Sequence, residues 1–72
     1  MKVIAFHLLD LRDNSFVKVY FHEWEDNKPV FTRRKKRANK YFDKRLANED
    51  IVQLKKAESP TAKTLSVRLE EA

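Results

Sequence analysis

Phe16-Val17-Lys18-Val19-Tyr20-Phe21-His22-Glu23-Trp24 alternates apolar and polar side chains with a period of two. Val17, Val19 and Phe21 point one way, and Lys18, Tyr20, His22 and Trp24 the other, as in a strand buried on one face. Upstream, Val3 to Leu11 is rich enough in aliphatic and aromatic residues to form a partner strand. Asp13-Asn14 between the two fits a tight hairpin turn. A two-residue loop would set Phe6 opposite Phe21 and Leu8 opposite Val19. A three-residue loop would set Leu9 opposite Val19 and Asp10 opposite Lys18. One slip exchanges the faces of the first strand. Either register sends Val17, Val19 and Phe21 to the core.

Outward from this hairpin, Asp26-Asn27-Lys28-Pro29 reads as a second turn, followed by a short strand with the proline at its start. A helix beginning at Thr32 would put Arg33 to Arg37 in its first turns, where the macrodipole disfavours cations. Asp43 is the better N-cap, followed by Ala47, Ile51 and Leu54 on one stripe, with Lys55 and Lys56 in the last turn. Asn48-Glu49-Asp50 is a rival start. Glu58-Ser59-Pro60-Thr61 breaks the helix. Lys63 to Leu69 then alternates with Leu65, Val67 and Leu69 on one face, before a frayed acidic tail, Glu70-Glu71-Ala72. The expected elements are strands over about 2–11, 16–24, 30–33 and 63–69 and a helix over about 43–57. The fold class is α+β: a small antiparallel β-β-(β)-α-β sheet with one helix packed on one face, residues 1–72 forming a single domain.

Ala38-Asn39-Lys40-Tyr41-Phe42-Asp43-Lys44-Arg45-Leu46-Ala47, continuing to Ile51 and Leu54, resembles a pattern common in very small bacterial and prophage-borne proteins. There an alanine and an aromatic three positions on precede a polar cap and a helix carrying an alanine and two aliphatics. The resemblance implies a helix starting at Asp43. It implies no activity and transfers no functional residue.

Seventy-two residues leave room for a small core only. The chain has no cysteine, so disulfides and thiolate zinc sites are excluded, and the cell interior, the cytoplasm, is the expected compartment. It has no glycine either, which removes Gly-rich phosphate loops and leaves Asn and Asp to supply any positive φ. Met1 to Asp10 is too short and interrupted for a signal or membrane segment.

Charge is concentrated. Residues 33–45 hold eight bases, Arg33, Arg34, Lys35, Lys36, Arg37, Lys40, Lys44 and Arg45, against the single acid Asp43. The whole chain is +5, so the strip at +7 leaves the remainder at −2. Such a field suits a nucleic-acid backbone, RNA or DNA, or an acidic protein surface. A solvated face is the plain alternative. On the outer side of the second strand, Tyr20 and Trp24 beside Lys18 are the ingredients of a base-stacking platform, if that sheet face is open; their plain reading is ordinary strand aromatics. The same open face would admit a homodimer.

His7 and His22 could begin a metal site only with Asp10, Glu23 or Glu25 at no recognisable spacing, so they read as strand histidines and no metal or other cofactor is expected. Glu23, Glu25 and Asp26 read as a soluble turn rather than a magnesium site. No nucleophile–base pattern is present, and a ligand-sized pocket would be hard to enclose, so the chain reads as a non-enzyme. The leading expectation is a small basic module binding nucleic-acid backbone. The rival is a protein-binding modulator, such as a phage-type inhibitor of a host nucleic-acid enzyme.

Overall fold

The computed structural model describes residues 1–57 and 60–72. Among them, four antiparallel strands and one helix make a small α+β fold: β1 (Lys2–Asp10), β2 (Ser15–Glu25), β3 (Lys28–Thr32), α1 (Lys44–Lys56) and β4 (Ala62–Glu71). The strand order is β3-β2-β1-β4, so β1 and β2 are central, and the chain crosses from one edge to the other through α1. Pro60 and Thr61 form a turn before β4; the first half of the expected breaker, Glu58 and Ser59, lies outside the described residues.

The turns are built without glycine. Asn14 (φ 58°), Asp26 (φ 50°) and Asn27 (φ 64°) occupy the left-handed region, where Asn and Asp are the side chains best tolerated. Two successive positive φ values between the paired Glu25 and Lys28 make Asp26-Asn27 a two-residue type I′ hairpin. The β1–β2 hairpin differs from both expected registers. Its loop has four residues, Leu11 to Asn14, and Asp10, Leu8 and Phe6 pair with Ser15, Val17 and Val19. Two aspartates set this length. Asp10 accepts hydrogen bonds from the Arg12 backbone N–H (3.0 Å) and guanidinium (2.8 Å), and Asp13 accepts from the backbone N–H and hydroxyl of Ser15. The face assignment is that of the two-residue loop, slid by one pair.

Ile4, Phe6, Val19 and Phe21 therefore share a face with Val67 and Leu69, and α1 packs there through Ala47, Ile51 and Leu54. Asp43 caps the helix, its carboxylate accepting from the Arg45 N–H at 2.9 Å, so the rival start at residues 48–50 is not used. Among the described residues no charged side chain is buried, and the polar tips in the core are the tyrosine hydroxyls of Tyr20 and Tyr41.

Two bulges break the simple alternation, and each corrects an expectation. In β4 the register with β1 shifts between His7 and Leu8, which takes Leu65 out of the ladder and leaves it 48 % exposed rather than aligned with Val67 and Leu69. In β2 the register with β3 shifts between Phe21 and Glu23, making His22 the extra residue. Beyond it Trp24 turns to the helix side, its ring 5.3 Å from that of Phe21. The acidic end is not frayed: Glu70 and Glu71 belong to β4, Glu71 binding Lys2 and Glu70 binding Lys18.

Phe21 is among the largest fully buried side chains, whereas Phe16 is 80 % exposed. Phe21→Ala should cost about 3–5 kcal/mol and Phe16→Ala less than about 0.5 kcal/mol, read from urea unfolding followed by the single tryptophan, Trp24. The Arg12 side-chain and backbone hydrogen bonds hold Asp10 down to about 2 from 3.8. A depressed carboxylate stabilises the fold above its unfolded pKa and loses that contribution as pH falls through the folded value. Stability should thus decline from about pH 4 to about pH 2. Asp10→Asn should lower stability at neutral pH and flatten this limb in denaturation midpoints measured across the range.

Candidate functional site

The basic strip is a stretch of chain whose backbone is fastened while most of its side chains face water. Arg34 N–H donates to Thr32 Oγ1 (3.1 Å), and residues 35–37 form one 3₁₀ turn closed by Arg37 N–H to the Arg34 carbonyl (3.0 Å). Ala38 then packs on Val3, Ala5 and Tyr20, on the sheet face opposite α1. Asn39 N–H donates to the Phe21 carbonyl (2.9 Å), and Tyr41 exchanges both backbone hydrogen bonds with Lys2 (2.9 and 2.8 Å). The β1–β2 ladder ends at Ala5–Tyr20, so residues 39–41 fill the fork where the two strands part. The chain thereby passes from one sheet face to the other, and Tyr41 enters the helix-side core.

Two polar contacts tighten this path. The Arg37 carbonyl can only accept, so its hydrogen bond with His22 Nδ1 places a proton on that nitrogen. Asp50, on α1, accepts from the Tyr41 hydroxyl (2.5 Å) and from Trp24 Nε1 (3.2 Å), joining helix, strip and β2. Burial, and then the Asp50 carboxylate, push the Tyr41 hydroxyl well above its usual range, which keeps it protonated as a donor.

The eight bases are all exposed. Lys35 lies 3.6 Å from Glu70, a carboxylate held below its usual range first by Lys18 and also by Lys35. Arg45 folds back on Asp43 at 3.0 Å. Arg33, Arg34, Lys36, Arg37, Lys40 and Lys44 are in no ion pair among the described residues. Lys40 instead reaches the Lys36 carbonyl at 3.1 Å.

The expected stacking platform is not formed. Tyr20 is only 8 % exposed, lying under the strip against Ala38, with Lys18 Nζ 5.4 Å from its ring centre. Trp24 is on the other face, because the bulge at His22 inverts the alternation. The face that carries Tyr20 is crossed by the strip at its Ala38 end, while Phe16, on the same side of β2, is left exposed. The exposed aromatic of this region is Phe42, 88 % exposed between Lys40 and Lys44, with Leu46 at 54 % one helical turn on. Phe42 follows Tyr41, which is buried, at a bend in the chain. The doublet Tyr41-Phe42 ahead of a cap was the available signal.

His7 Nδ1 shares a hydrogen bond with Ser66 Oγ (3.2 Å), while His22 is engaged by the strip. Among the described residues no group of three or more His, Cys, Asp or Glu is placed to hold a metal, and Asp26 serves the turn. Among the described residues no helix is long and apolar enough to cross a membrane. A groove of about 660 Å³ lies between β3 and the end of α1. Phe6, Leu8, Val17, Phe31 and Leu54 line it, with Arg12 and Arg33 among its polar residues, and it is open along one side. Comparison with known protein families, characterised sequences and solved structures finds no match to this chain.

Asp50→Ala strands a buried hydroxyl and an indole N–H at once, and should cost about 1–3 kcal/mol. Trp24→Phe removes one donor and should cost less. Denaturation midpoints of the two variants, compared with the parent, check the order.

Proposed function

We propose that the protein is a small cytoplasmic, non-enzymatic module that binds nucleic-acid backbone through residues 33–45. The observation that carries this reading is a cationic ridge whose backbone is anchored by Ala38, Asn39 and Tyr41 while Arg33, Arg34, Lys36, Arg37, Lys40 and Lys44 are in no ion pair among the described residues. A pre-ordered ridge loses little chain entropy on binding, and each phosphate it neutralises releases condensed counterions. Contacts of this kind fix position without reading sequence. Phe42 takes the stacking role first expected of Tyr20 and Trp24, since it alone of these rings stands free among cations.

Six such cations predict a slope of log K against log salt of roughly −4 to −5, steeper on duplex than on single strands. Fluorescence titration of generic RNA and DNA over a salt series measures it. Arg34→Glu with Lys36→Glu and Lys40→Glu should abolish binding with an unchanged circular-dichroism spectrum. Phe42→Ala should weaken single-strand binding by roughly five- to a hundred-fold and leave duplex binding nearly intact. No affinity at low salt would overturn the reading.

A protein-binding role, such as phage-type inhibition of a host nucleic-acid enzyme, is favoured by one observation: Phe42 and Leu46 are both exposed apolar side chains within the cationic stretch. Aromatic anchors ringed by Arg and Lys suit an acidic protein face as well as a nucleic acid. Capture of partners from lysate before and after nuclease treatment separates the two, a partner that survives nuclease favouring this second reading.

A further inference from the structure

The two sheet edges are protected unequally. β3 is five residues long and carries Pro29, which has no N–H to offer. β4 is ten residues long, and its outer edge has no partner strand among the described residues. The bulge at Leu65 spoils the first half of that edge for pairing; the second half, Ser66 to Glu71, has neither bulge nor proline. A regular edge with its backbone groups unpaired can recruit another strand, and the charges it carries then select which one.

The direction of each backbone group on this half is fixed by two observations. Ala72 N–H donates to the Met1 carbonyl (3.0 Å), so Met1–Ala72 is a hydrogen-bonded pair of the β1–β4 ladder. Lys2 gives both its backbone groups to Tyr41, on the opposite side, so Lys2–Glu71 is not. Alternation along an antiparallel ladder then turns the N–H and C=O of Ser66, Arg68 and Glu70 toward β1, and those of Val67, Leu69 and Glu71 outward.

We infer that β4 pairs antiparallel with β4 of a second copy of this chain, about a two-fold axis at Leu69. In that register Leu69 faces its own counterpart, Val67 faces Glu71 of the other copy, and about six backbone hydrogen bonds form. Arg68 falls opposite Glu70 of the second copy, and symmetry makes this opposite-charge pair twice. Arg68 and Glu70 stand on the face carrying Lys18 and Lys35, both already bound to Glu70, so each new pair extends an existing charge network. Centring the axis on Val67 instead would run the pairing into the bulge, which selects Leu69. The apolar core of a 72-residue chain is small, and an eight-stranded sheet would add what one copy lacks. The inference stands independently of nucleic-acid binding. It has one consequence for it: an axis perpendicular to the sheet keeps both strips on one face, with the two Lys35 residues beside the axis.

Sedimentation equilibrium from micromolar to millimolar protein should show a monomer–dimer equilibrium. Arg68→Glu, which sets like charges across the axis, should weaken it roughly tenfold or more with an unchanged circular-dichroism spectrum, and Arg68→Lys should preserve it. The chain has no native cysteine, so Leu69→Cys reports the register: a hydrogen-bonded pair brings the two Cα atoms to about 5.5 Å, within disulfide reach. Oxidation should therefore yield a linked dimer from Leu69→Cys and none from Thr64→Cys. A monomer throughout the concentration range overturns the inference. So does a dimer indifferent to Arg68→Glu, or one that crosslinks through Thr64→Cys. Should Arg68→Glu fail to fold, the cysteine variants decide.

Discussion

Beyond the Ala5–Tyr20 pair, β2 parts from β1, and the backbone groups of Lys2 and the Phe21 carbonyl lose their ladder partners. Buried peptide groups cannot be left unpaired without a cost of a few kcal/mol each, so something must enter the fork. Asn39 and Tyr41 do so with three backbone hydrogen bonds. The bulge at His22 is what opens the gap, because an extra residue bends and twists the strand that carries it. His22 then binds the Arg37 carbonyl, so the residue that opens the fork also holds the segment that fills it.

The position of the basic ridge follows from this repair. With Ala38 pressed on Val3, Ala5 and Tyr20, and Tyr41 drawn into the helix-side core, the residues between and beside them have only solvent to face. Charge repulsion among neighbouring cations would by itself favour an extended, mobile loop. The structure opposes it with buried alanine and tyrosine anchors and with two acids, Glu70 and Asp43, each holding one base and leaving the others free. Asp50 adds a second level of order: one carboxylate ties the helix to the strip through Tyr41 and to the end of β2 through Trp24.

The sheet's two edges show how the same small chain handles exposed backbone differently. β3 begins in a hairpin and carries a proline at its second position, while β4 keeps a regular half beyond its bulge. Strip, edge and the middle of the sheet are not independent: Glu70 lies on β4, holds Lys35 of the strip and is bound by Lys18 of β2.

Composition and periodicity by themselves determined the antiparallel α+β class, the Asp43 cap, the Asn and Asp turns and the burial of Val19 and Phe21, because each depends on residues within one or two turns or strands of each other. The cationic strip was equally legible, being a matter of counting charges. The tertiary structure alone decided the four-residue hairpin loop, the faces of Trp24 and Leu65, and the covering of Tyr20. The loop turns on which local hydrogen bonds Asp10 and Asp13 make, and the other three on a bulge or a crossing segment. A bulge changes the face of every later residue without altering the pattern of residue types. Phe42 lies between the two cases: the Tyr41-Phe42 doublet was legible, but only the fork between β1 and β2 decides which ring goes in.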